Sequence, residues 1–278
     1  MIAVLLAALL PTPPARIVST TPSITEMLFA VGLGDRVVGV TTYCRYPAEA
    51  RSRTKIGTFA QPDLERIVSL SPDLVVVENN GLGLRAKIER LNLRVLEVKH
   101  GSVGEVFDAV GKIAVAGGVP EAGAKRTASI RAGLDGIRVR NKGRPLTTMA
   151  FIVGRDPGTA RGIIAAGPGS YLSEIITIAG GRNVFDNAVA AYPKVSAESV
   201  LATNPEVIVD MAEMASGEAL TDAQRAAVVK LWSVYPTLRA VRERRVFPVS
   251  SDVFVVAGPR MVEAAREFSK MLHPEMPR

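Results

Sequence analysis

The stretch LERIVSLSPDLVVV (Leu64–Val77) occurs a second time in the chain, as AESVLATNPEVIVD (Ala197–Asp210). When Glu65 is aligned with Glu198, apolar, proline and acidic positions match at one constant offset, without a gap. In both copies a helix-like pattern precedes an apolar, β-branched run, which is typical of a buried strand. Two copies are too few for a solenoid, so the repeat predicts two related lobes.

A second pair of segments supports the duplication. SITEMLFAVGLGDRV (Ser23–Val37) resembles YLSEIITIAGGRNVF (Tyr171–Phe185), and the spacing between the two motifs differs between the halves by a loop-sized amount. In the first copy, Ser23 and Glu26 predict a capping box at the start of a helix. Gly32 predicts the end of that helix.

Strand-like runs alternate with helical patterns through both halves. The runs RIVST, VVGVT, DLVVVE and RVLEV lie in the first half, and TTMAFIVG, EVIVDM and RRVFPVSS lie in the second. Unbroken β-branched runs indicate strands that are covered on both faces by crossover helices. The prediction is an α/β protein with two Rossmann-like lobes, each built on a mostly parallel sheet.

Length and patterning divide the chain into four segments. A chain of 278 residues is long enough for two domains, and residues 16–119 and 143–278 are predicted to form the N-terminal and C-terminal lobes. Between them, residues 120–142 carry a single apolar stripe on a charged helix, which predicts a linker helix. Residues 1–15 are predicted to be a signal peptide, because a short apolar run is followed by prolines and small residues.

This N-terminal signal predicts an exported protein of the periplasm. The apolar run Ile2–Leu10 is too short to span a bilayer, which takes about 20 helical residues. The single cysteine, Cys44, has no partner for an internal disulfide and lies too far from the signal to be lipidated. It is interpreted as a small buried thiol.

Composition argues against nucleic-acid binding and nucleotide chemistry. The net charge is +7, but the basic residues are concentrated only at Arg138–Arg144 and Arg239–Arg245, which are interpreted as solvated faces. Aromatic residues are 5% of the chain and are not interleaved with these runs, as a single-strand-binding surface requires. No Gly-rich phosphate loop follows any strand.

The order of motifs resembles a known family. RIVSTTPSITEMLFAVGLGDRVVGVTTYCRYPAEA, KIGTFAQPDLERIVSLSPDLVVV, YPKVSAESVLATNPEVIVD and the closing RRVFPVSSDVFVVAGPR are similar to the periplasmic binding proteins that serve ABC importers of cobalamin, iron–siderophores and heme. The resemblance covers the chain after the predicted signal. It implies a monomeric, non-catalytic receptor without a cofactor, with two lobes joined by one long helix and the ligand in the cleft between them.

The resemblance also implies a role for the duplicated glutamates. Glu65 and Glu198 correspond to the family's two docking glutamates, which pair with arginines of the permease dimer. Each glutamate is predicted to lie in the first turn of a helix, capped by Asp63 in the first copy and by Ser196 in the second. A first-turn carboxylate that stabilises a helix dipole explains either glutamate alone. A role in docking explains both glutamates, because each copy of the motif would meet one of the two permease subunits.

Within the family the chain most resembles the cobalamin binders, whose aromatic side chains surround the corrin. The matching positions are Tyr43 in TTYCRYP, Phe59 in GTFAQPDLE and Tyr192 in AYPKVS. Asp252 and Arg260 in SDVFVVAGPR match positions in or beside the cleft. Large rigid rings cover a planar macrocycle with little loss of side-chain entropy. The expected ligand is therefore a corrinoid.

Other ligands and another class of protein stay open. Glu78 stands where cobalamin binders commonly have a tryptophan, and Trp232, the sole tryptophan, is interpreted as a core residue. A ferric siderophore or heme is the alternative ligand, with His100 or a tyrosine as a heme ligand. Two histidines are too few for a manganese or zinc site, and His273 is interpreted as a helix cap. An enzyme on the same scaffold is the competing class.

Overall fold

The computed structural model describes residues 12–79, 81–212 and 219–274 of the chain. The apolar run of the predicted signal peptide lies outside these described residues. Within the described ranges, no helix has the length and apolarity needed to cross a bilayer.

The chain forms two compact units. The N-terminal unit comprises the residues up to Lys99 together with Asp108–Arg126, and the C-terminal unit comprises His100–Phe107 together with the residues from Thr127 onwards. Two helices, α4 (Val103–Ala116) and α5 (Pro120–Asn141), therefore contribute residues to both units. α5 is the helix at the predicted linker position, and its first residues, up to Arg126, belong to the N-terminal unit.

The N-terminal unit is built on a five-stranded parallel sheet, as the β-branched runs predict. Each of the four predicted strands is present, and the strand order is β3-β2-β1-β4-β5. Crossover connections of this kind bring the carboxyl ends of all strands to one edge of the sheet. The strands are β1 (Ile17–Ser19), β2 (Val37–Val40), β3 (Thr54–Lys55), β4 (Leu74–Glu78) and β5 (Val95–Val98).

Three helices, α1 (Pro22–Ala30), α2 (Leu64–Ser69) and α3 (Leu84–Glu89), belong wholly to this unit. One face of the sheet packs with α2 and α3 in a buried apolar cluster. Ile67 of α2 is fully buried there, while the rest of α2 is partly or fully exposed. The repeated stretch therefore contributes both a surface helix and the central strand that follows it.

The capping box predicted for α1 is wrong, although the predicted end of the helix is right. The helix starts at Pro22, and its N-cap is Thr21, whose side chain accepts a hydrogen bond from a backbone N–H of the first turn at 3.4 Å. Proline is favoured at the first helical position because it has no N–H to leave unpaired. That preference moves the start ahead of Ser23. Gly32 has φ +81°, as a C-terminal stop requires.

The C-terminal unit contains a mixed sheet in which parallel pairings predominate. The path is β11-β10-β6-β7-β9, with β8 also paired to β6, and among the strands of the described ranges only the two pairings of β7 are antiparallel. A mostly parallel sheet is therefore confirmed. Its strands are β6 (Thr147–Gly154), β7 (Ile163–Ala165), β8 (Gly181–Asn183), β9 (Lys194–Val195), β10 (Val207–Met211) and β11 (Val246–Val249).

The helices of this unit are α6 (Tyr171–Ile178), α7 (Ala197–Thr203), α8 (Asp222–Ser233), α9 (Arg239–Arg242) and α10 (Met261–Leu272). The amphipathic α10 buries Phe268, which packs edge-on against Phe151 of β6 with ring centroids 5.5 Å apart. Trp232 of α8 is fully buried, so its interpretation as a core residue is confirmed. His273 is the C-cap of α10, also as predicted.

Candidate functional site

Two predicted ligand contacts, Tyr43 and Phe59, form an aromatic pair at the carboxyl edge of the N-terminal sheet. Tyr43 follows β2 and Phe59 follows β3. Their ring centroids are 5.8 Å apart with the planes tilted by 56°, and the two residues are 40% and 46% exposed. Ligands of open α/β sheets bind outside the carboxyl ends of the strands. The pair therefore offers an apolar surface where this type of fold places its ligands.

A tight turn fixes the position of Phe59. Thr58 donates its N–H to the carbonyl of Gln61 at 3.2 Å, and Gln61 donates its N–H to the Thr58 hydroxyl at 3.0 Å. Gly57 has φ +85°, and a Cβ at this position would lie 2.6 Å from the Gln61 carbonyl oxygen. Only glycine fits this approach. The Gly57 carbonyl also accepts the N–H of Thr42, which joins the turn to the Tyr43 loop.

A buried cluster of hydroxyl and thiol groups holds the loop that carries Tyr43. The Cys44 sulfur lies 3.1 Å from the hydroxyls of both Thr25 and Thr41, and the Thr25 hydroxyl lies 2.7 Å from that of Ser19. Burial raises the pKa of the Cys44 thiol. The thiol therefore stays protonated at neutral pH, and its interpretation as a small buried group is confirmed.

Tyr192 lies in the loop between β8 and β9, directly before β9. The neighbouring carbonyls of Ala191 and Pro193 accept the N–H groups of Gly167 and Ala165 at 2.8 and 3.1 Å. A Cβ on Gly167 would lie 2.4 Å from a backbone oxygen of this loop, so glycine is required for the close approach. The backbone on both sides of Tyr192 is thus fixed, while Tyr192 itself is 46% exposed.

Asp252 and Arg260 form an ion pair beyond the carboxyl end of β11. The Arg260 guanidinium donates to the Asp252 carboxylate at 2.9 Å, with both side chains mostly buried. Ser251 caps the short 3₁₀ helix that carries Asp252, and Tyr171 donates its hydroxyl to the carbonyl of Phe254 in the same helix. Asp252 also lines a pocket of about 460 Å³. The pair is a fixed polar group beside a pocket of the C-terminal unit.

The two predicted docking glutamates occupy equivalent positions in their units. Glu65 is in the first turn of α2, whose N-cap is Asp63, and Glu198 is in the first turn of α7, whose N-cap is Ser196. Both caps are as predicted, and both glutamates are exposed. A hydrogen bond from the Ser196 hydroxyl lowers the pKa of Glu198. Among the described residues, the Glu65 side chain forms no hydrogen bond or ion pair.

The second acidic position of the repeat has a different environment. Asp73 accepts the backbone N–H groups of Ala15 and Arg16 at 2.7 and 2.8 Å. Glu206 accepts the N–H of Thr148 at 2.7 Å and thereby fixes the start of β6, the first strand of its own unit. These carboxylates are occupied by structural hydrogen bonds. The glutamates at the helix starts are exposed and do not hold a strand.

The C-terminal unit contains a buried ion pair that the sequence motifs do not predict. Arg155 Nε lies 2.9 Å from Asp210 Oδ2, and the Trp232 indole N–H donates to the same oxygen at 2.7 Å. Asp210 is fully buried in β10. The sequence does contain an indication of this pair, because an aspartate inside the apolar run EVIVDM requires a buried partner. Arg155 also lines a pocket of about 480 Å³.

A metal site needs several ligand side chains that converge on one point. Among the described residues, no three side chains of His, Cys, Asp or Glu come together as metal ligands do. The side chains described at the carboxyl edges are an aromatic pair, neutral hydroxyl groups and the Asp252–Arg260 ion pair. This inventory suits binding of an organic molecule by packing and hydrogen bonds.

Comparisons with known proteins place the chain in a family. Residues 17–253 match the family model described as periplasmic binding protein. The chain is 30% identical over 275 residues to the vitamin B12-binding protein of Salmonella paratyphi A, covering 96% of each protein. It is 28% identical over 270 residues to an uncharacterized ABC transporter substrate-binding lipoprotein of Bacillus subtilis, YvrC, covering 94% of this chain and 81% of the relative.

A solved structure agrees with the sequence comparison. The crystal structure of the periplasmic vitamin B12-binding protein BtuF of Vibrio cholerae matches with a TM-score of 0.78 and 26% identity, covering 94% of this chain and 97% of that one. These similar proteins are substrate-binding proteins of transport systems and not enzymes. The chain belongs to the periplasmic binding protein family and is a substrate-binding protein of the ABC-importer type.

Proposed function

We propose that this receptor binds a corrinoid of the cobalamin type and delivers it to its permease. The observation that carries the proposal is the exposed aromatic pair of Tyr43 and Phe59 at the carboxyl edge of the N-terminal sheet. Similarity to vitamin B12-binding proteins over nearly the whole chain supports the same ligand. A rigid apolar surface suits a large planar macrocycle, because little side-chain entropy is lost on binding.

The remaining predicted contacts have complementary roles in this proposal. Tyr192 adds a third ring from the C-terminal unit, held by a fixed backbone. Asp252 and Arg260 offer hydrogen-bond acceptors and donors to polar groups at the periphery of the ligand. Because the two side chains neutralise each other, they favour a polar ligand without selecting for strong net charge.

Calorimetric titration of the purified protein tests the ligand. We expect cyanocobalamin to bind with a stoichiometry of about one per chain, while hemin and a ferric hydroxamate siderophore do not saturate the protein. The double substitution Tyr43→Ala and Phe59→Ala should weaken cobalamin binding at least about tenfold, because two ring contacts are lost. Leu91→Ala, at a residue that is 40% exposed in the same unit, is the matched control.

Each alternative ligand has its own outcome in this titration. Saturable binding of hemin or of the siderophore, with no heat from cobalamin, transfers the function to the alternative ligand of the same family. Unchanged cobalamin affinity in the double variant places the ligand away from the aromatic pair. Chromatography of the released ligand detects any chemical conversion. A converted ligand would support an enzyme and not a receptor.

We further propose that Glu65 and Glu198 dock the receptor onto arginines of the permease dimer. The contrast with Asp73 and Glu206 supports this role, since only the latter pair is engaged in hydrogen bonds that hold the first strand of each unit. Two exposed carboxylates at equivalent positions match the two subunits of the permease. Charge complementarity of this kind sets the register and rate of association.

Paired charge reversals test docking separately from ligand binding. The double substitution Glu65→Arg and Glu198→Arg should leave cobalamin titration unchanged and abolish association with the permease in detergent pull-down, because like charges meet. Glu121→Arg with Glu263→Arg is the matched control, as both are exposed first-turn glutamates, one in each unit. Association that survives the first pair, or fails equally in the control, contradicts the docking role.

A further inference from the structure

The two basic runs of the sequence end at the same edge of the C-terminal sheet. Arg138–Arg144 precedes β6, and Arg239–Arg245 precedes β11. Both strands pair in parallel with β10, on its two sides. Parallel neighbours start at one edge, so the two runs meet at the amino-terminal edge of the sheet, opposite the edge where ligands of such folds bind.

Helix α10 joins the two runs through its last turns. Asn141, within the first run, donates its side-chain N–H to the Ser269 hydroxyl at 3.0 Å. Arg245, the last residue of the second run, donates to two backbone carbonyls at the C-terminus of α10, each at 2.9 Å. Besides burial, the charges of Arg144 and Arg245 lower the pKa of His273, so both runs act electrostatically on one side chain.

The two runs carry a strong local excess of positive charge. The two runs contain eight basic residues and one acidic residue, an excess equal to the formal net charge of +7. Arg138, Arg239 and Arg245 have acidic partners. The other five basic residues are exposed and form no ion pair with any described residue; we call them the basic edge: Arg140, Lys142, Arg144, Arg242 and Arg244.

Exposed apolar side chains lie among these cations. Val139 is 70% exposed between two arginines of α5, and Leu146 is 65% exposed two residues after Arg144. Neither run contains an aromatic residue, so the base-stacking partners of a single-strand-binding surface are missing from both. Cations interleaved with aliphatic side chains are typical of surfaces that bind the interface of an anionic membrane.

We propose that the basic edge binds the phosphate-bearing headgroups of anionic membrane lipids, with Val139 and Leu146 entering the interface. Clustered cations lower the free energy of a protein at an anionic surface, and the attraction extends over about one Debye length. A receptor held at the membrane searches for its permease in two dimensions. The inference does not depend on which ligand the receptor carries.

Vesicle flotation with the mature full-length chain tests the proposal. The probes are vesicles of phosphatidylglycerol and phosphatidylcholine in equal parts, and vesicles of phosphatidylcholine alone. We expect binding only to the anionic vesicles and a loss of binding of at least about tenfold when 0.5 M salt screens the charges. Substituting all five residues of the basic edge by Gln should reduce binding to the anionic vesicles at least tenfold at low salt.

A control of equal charge separates the basic edge from net charge. Five exposed cations of the N-terminal unit can be changed to Gln for the same loss of charge: Lys87, Arg90, Arg94, Lys99 and Lys125. This control should bind anionic vesicles as the unmodified protein does. Val139→Ser with Leu146→Ser should weaken binding severalfold without any change of charge, and circular dichroism with a thermal melt checks that every variant is folded.

Three outcomes would overturn the proposal. In the first, the unmodified protein does not bind anionic vesicles. In the second, the control loses as much binding as the basic-edge variant, which leaves only non-specific attraction by net charge. In the third, the basic edge mediates binding to immobilised polyglutamate but not to vesicles, which assigns the surface to an acidic protein.

Discussion

Glu174 connects α6 to the start of α4 through its side chain. Its carboxylate accepts the backbone N–H of Val103, at the start of α4, at 3.3 Å. Burial raises the pKa of Glu174, and the nearby charge of Glu105 raises it further. The aligned residue in the first copy of the motif is Glu26, which is buried within α1.

This raised pKa predicts a pH-dependent contribution to stability. A carboxyl group that binds its proton more tightly in the folded state stabilises the fold below its ordinary pKa of 4.5, and this contribution is lost as the pH rises through the folded-state pKa. Glu174→Gln removes the titration and keeps an acceptor for the Val103 N–H. Urea midpoints at pH 4.5 and 7.5 should therefore show the unmodified protein losing stability relative to the variant as the pH rises. A constant or opposite difference contradicts this interpretation.

At the scale of the element, the repeat is a helix–strand unit with two separate acidic positions. In each copy the carboxylate just before the strand binds the start of a neighbouring strand: Asp73 acts on the β1 segment and Glu206 on β6. The backbone repeats the arrangement, since Asp73 and Glu206 donate their own N–H groups to the carbonyls of Arg16 and Thr148. The duplication therefore reproduces a strand-pairing device as well as a surface glutamate.

Removing one of these carboxylates should destabilise its unit. Glu206→Ala should cost about 1–3 kcal/mol, because the N–H of Thr148 loses its acceptor in a partly buried position. Glu206→Gln should cost less, since an acceptor oxygen is retained while the charge that pairs with Arg239 is lost. Urea unfolding followed by circular dichroism measures both. Equal losses in the two variants would assign the effect to charge.

At the scale of the whole molecule, ligand binding should raise the free energy of unfolding. Free cobalamin at about 100 times its Kd should stabilise the receptor by about 2.7 kcal/mol, which corresponds to a rise in Tm of roughly 5–10 °C for a chain of this size. Differential scanning calorimetry with cobalamin and with hemin distinguishes the two ligands. A rise with hemin alone would contradict the corrinoid proposal.

Processing of the N-terminus is a second property of the whole chain. We expect export to the periplasm with removal of the predicted signal peptide, so that a monomer begins close to residue 16. Cleavage beyond Arg16 would remove two backbone donors that Asp73 accepts, so the mature protein should retain Arg16. Intact-mass spectrometry of the periplasmic fraction and light scattering measure the start and the oligomeric state. A retained N-terminus or a dimer contradicts this expectation.

Local patterns predicted the elements because the relevant interactions are close in sequence. The β-branched runs gave every strand of the N-terminal sheet except the two-residue β3, and the caps Asp63 and Ser196 follow from side chains three residues from their backbone partners. The start of α1 was misplaced because Thr21 and Ser23 are both acceptable caps, and only the folded chain selects between them. The aromatic pair could be named from the family resemblance, but its ring distance could not.

The sequence by itself determined the α/β class, the duplication, the helix at the linker position and the positions of the exposed glutamates, because periodicity, capping and repetition are carried by neighbouring residues. Only the tertiary structure decided which distant groups meet. Asp210 pairs with Arg155, 55 residues earlier in the chain, and Arg245 reaches the end of α10. The two basic runs, separate along the chain, share one edge because parallel strands must begin side by side. Contacts between residues so far apart in the chain depend on the order of strands in the sheet, which no local pattern encodes.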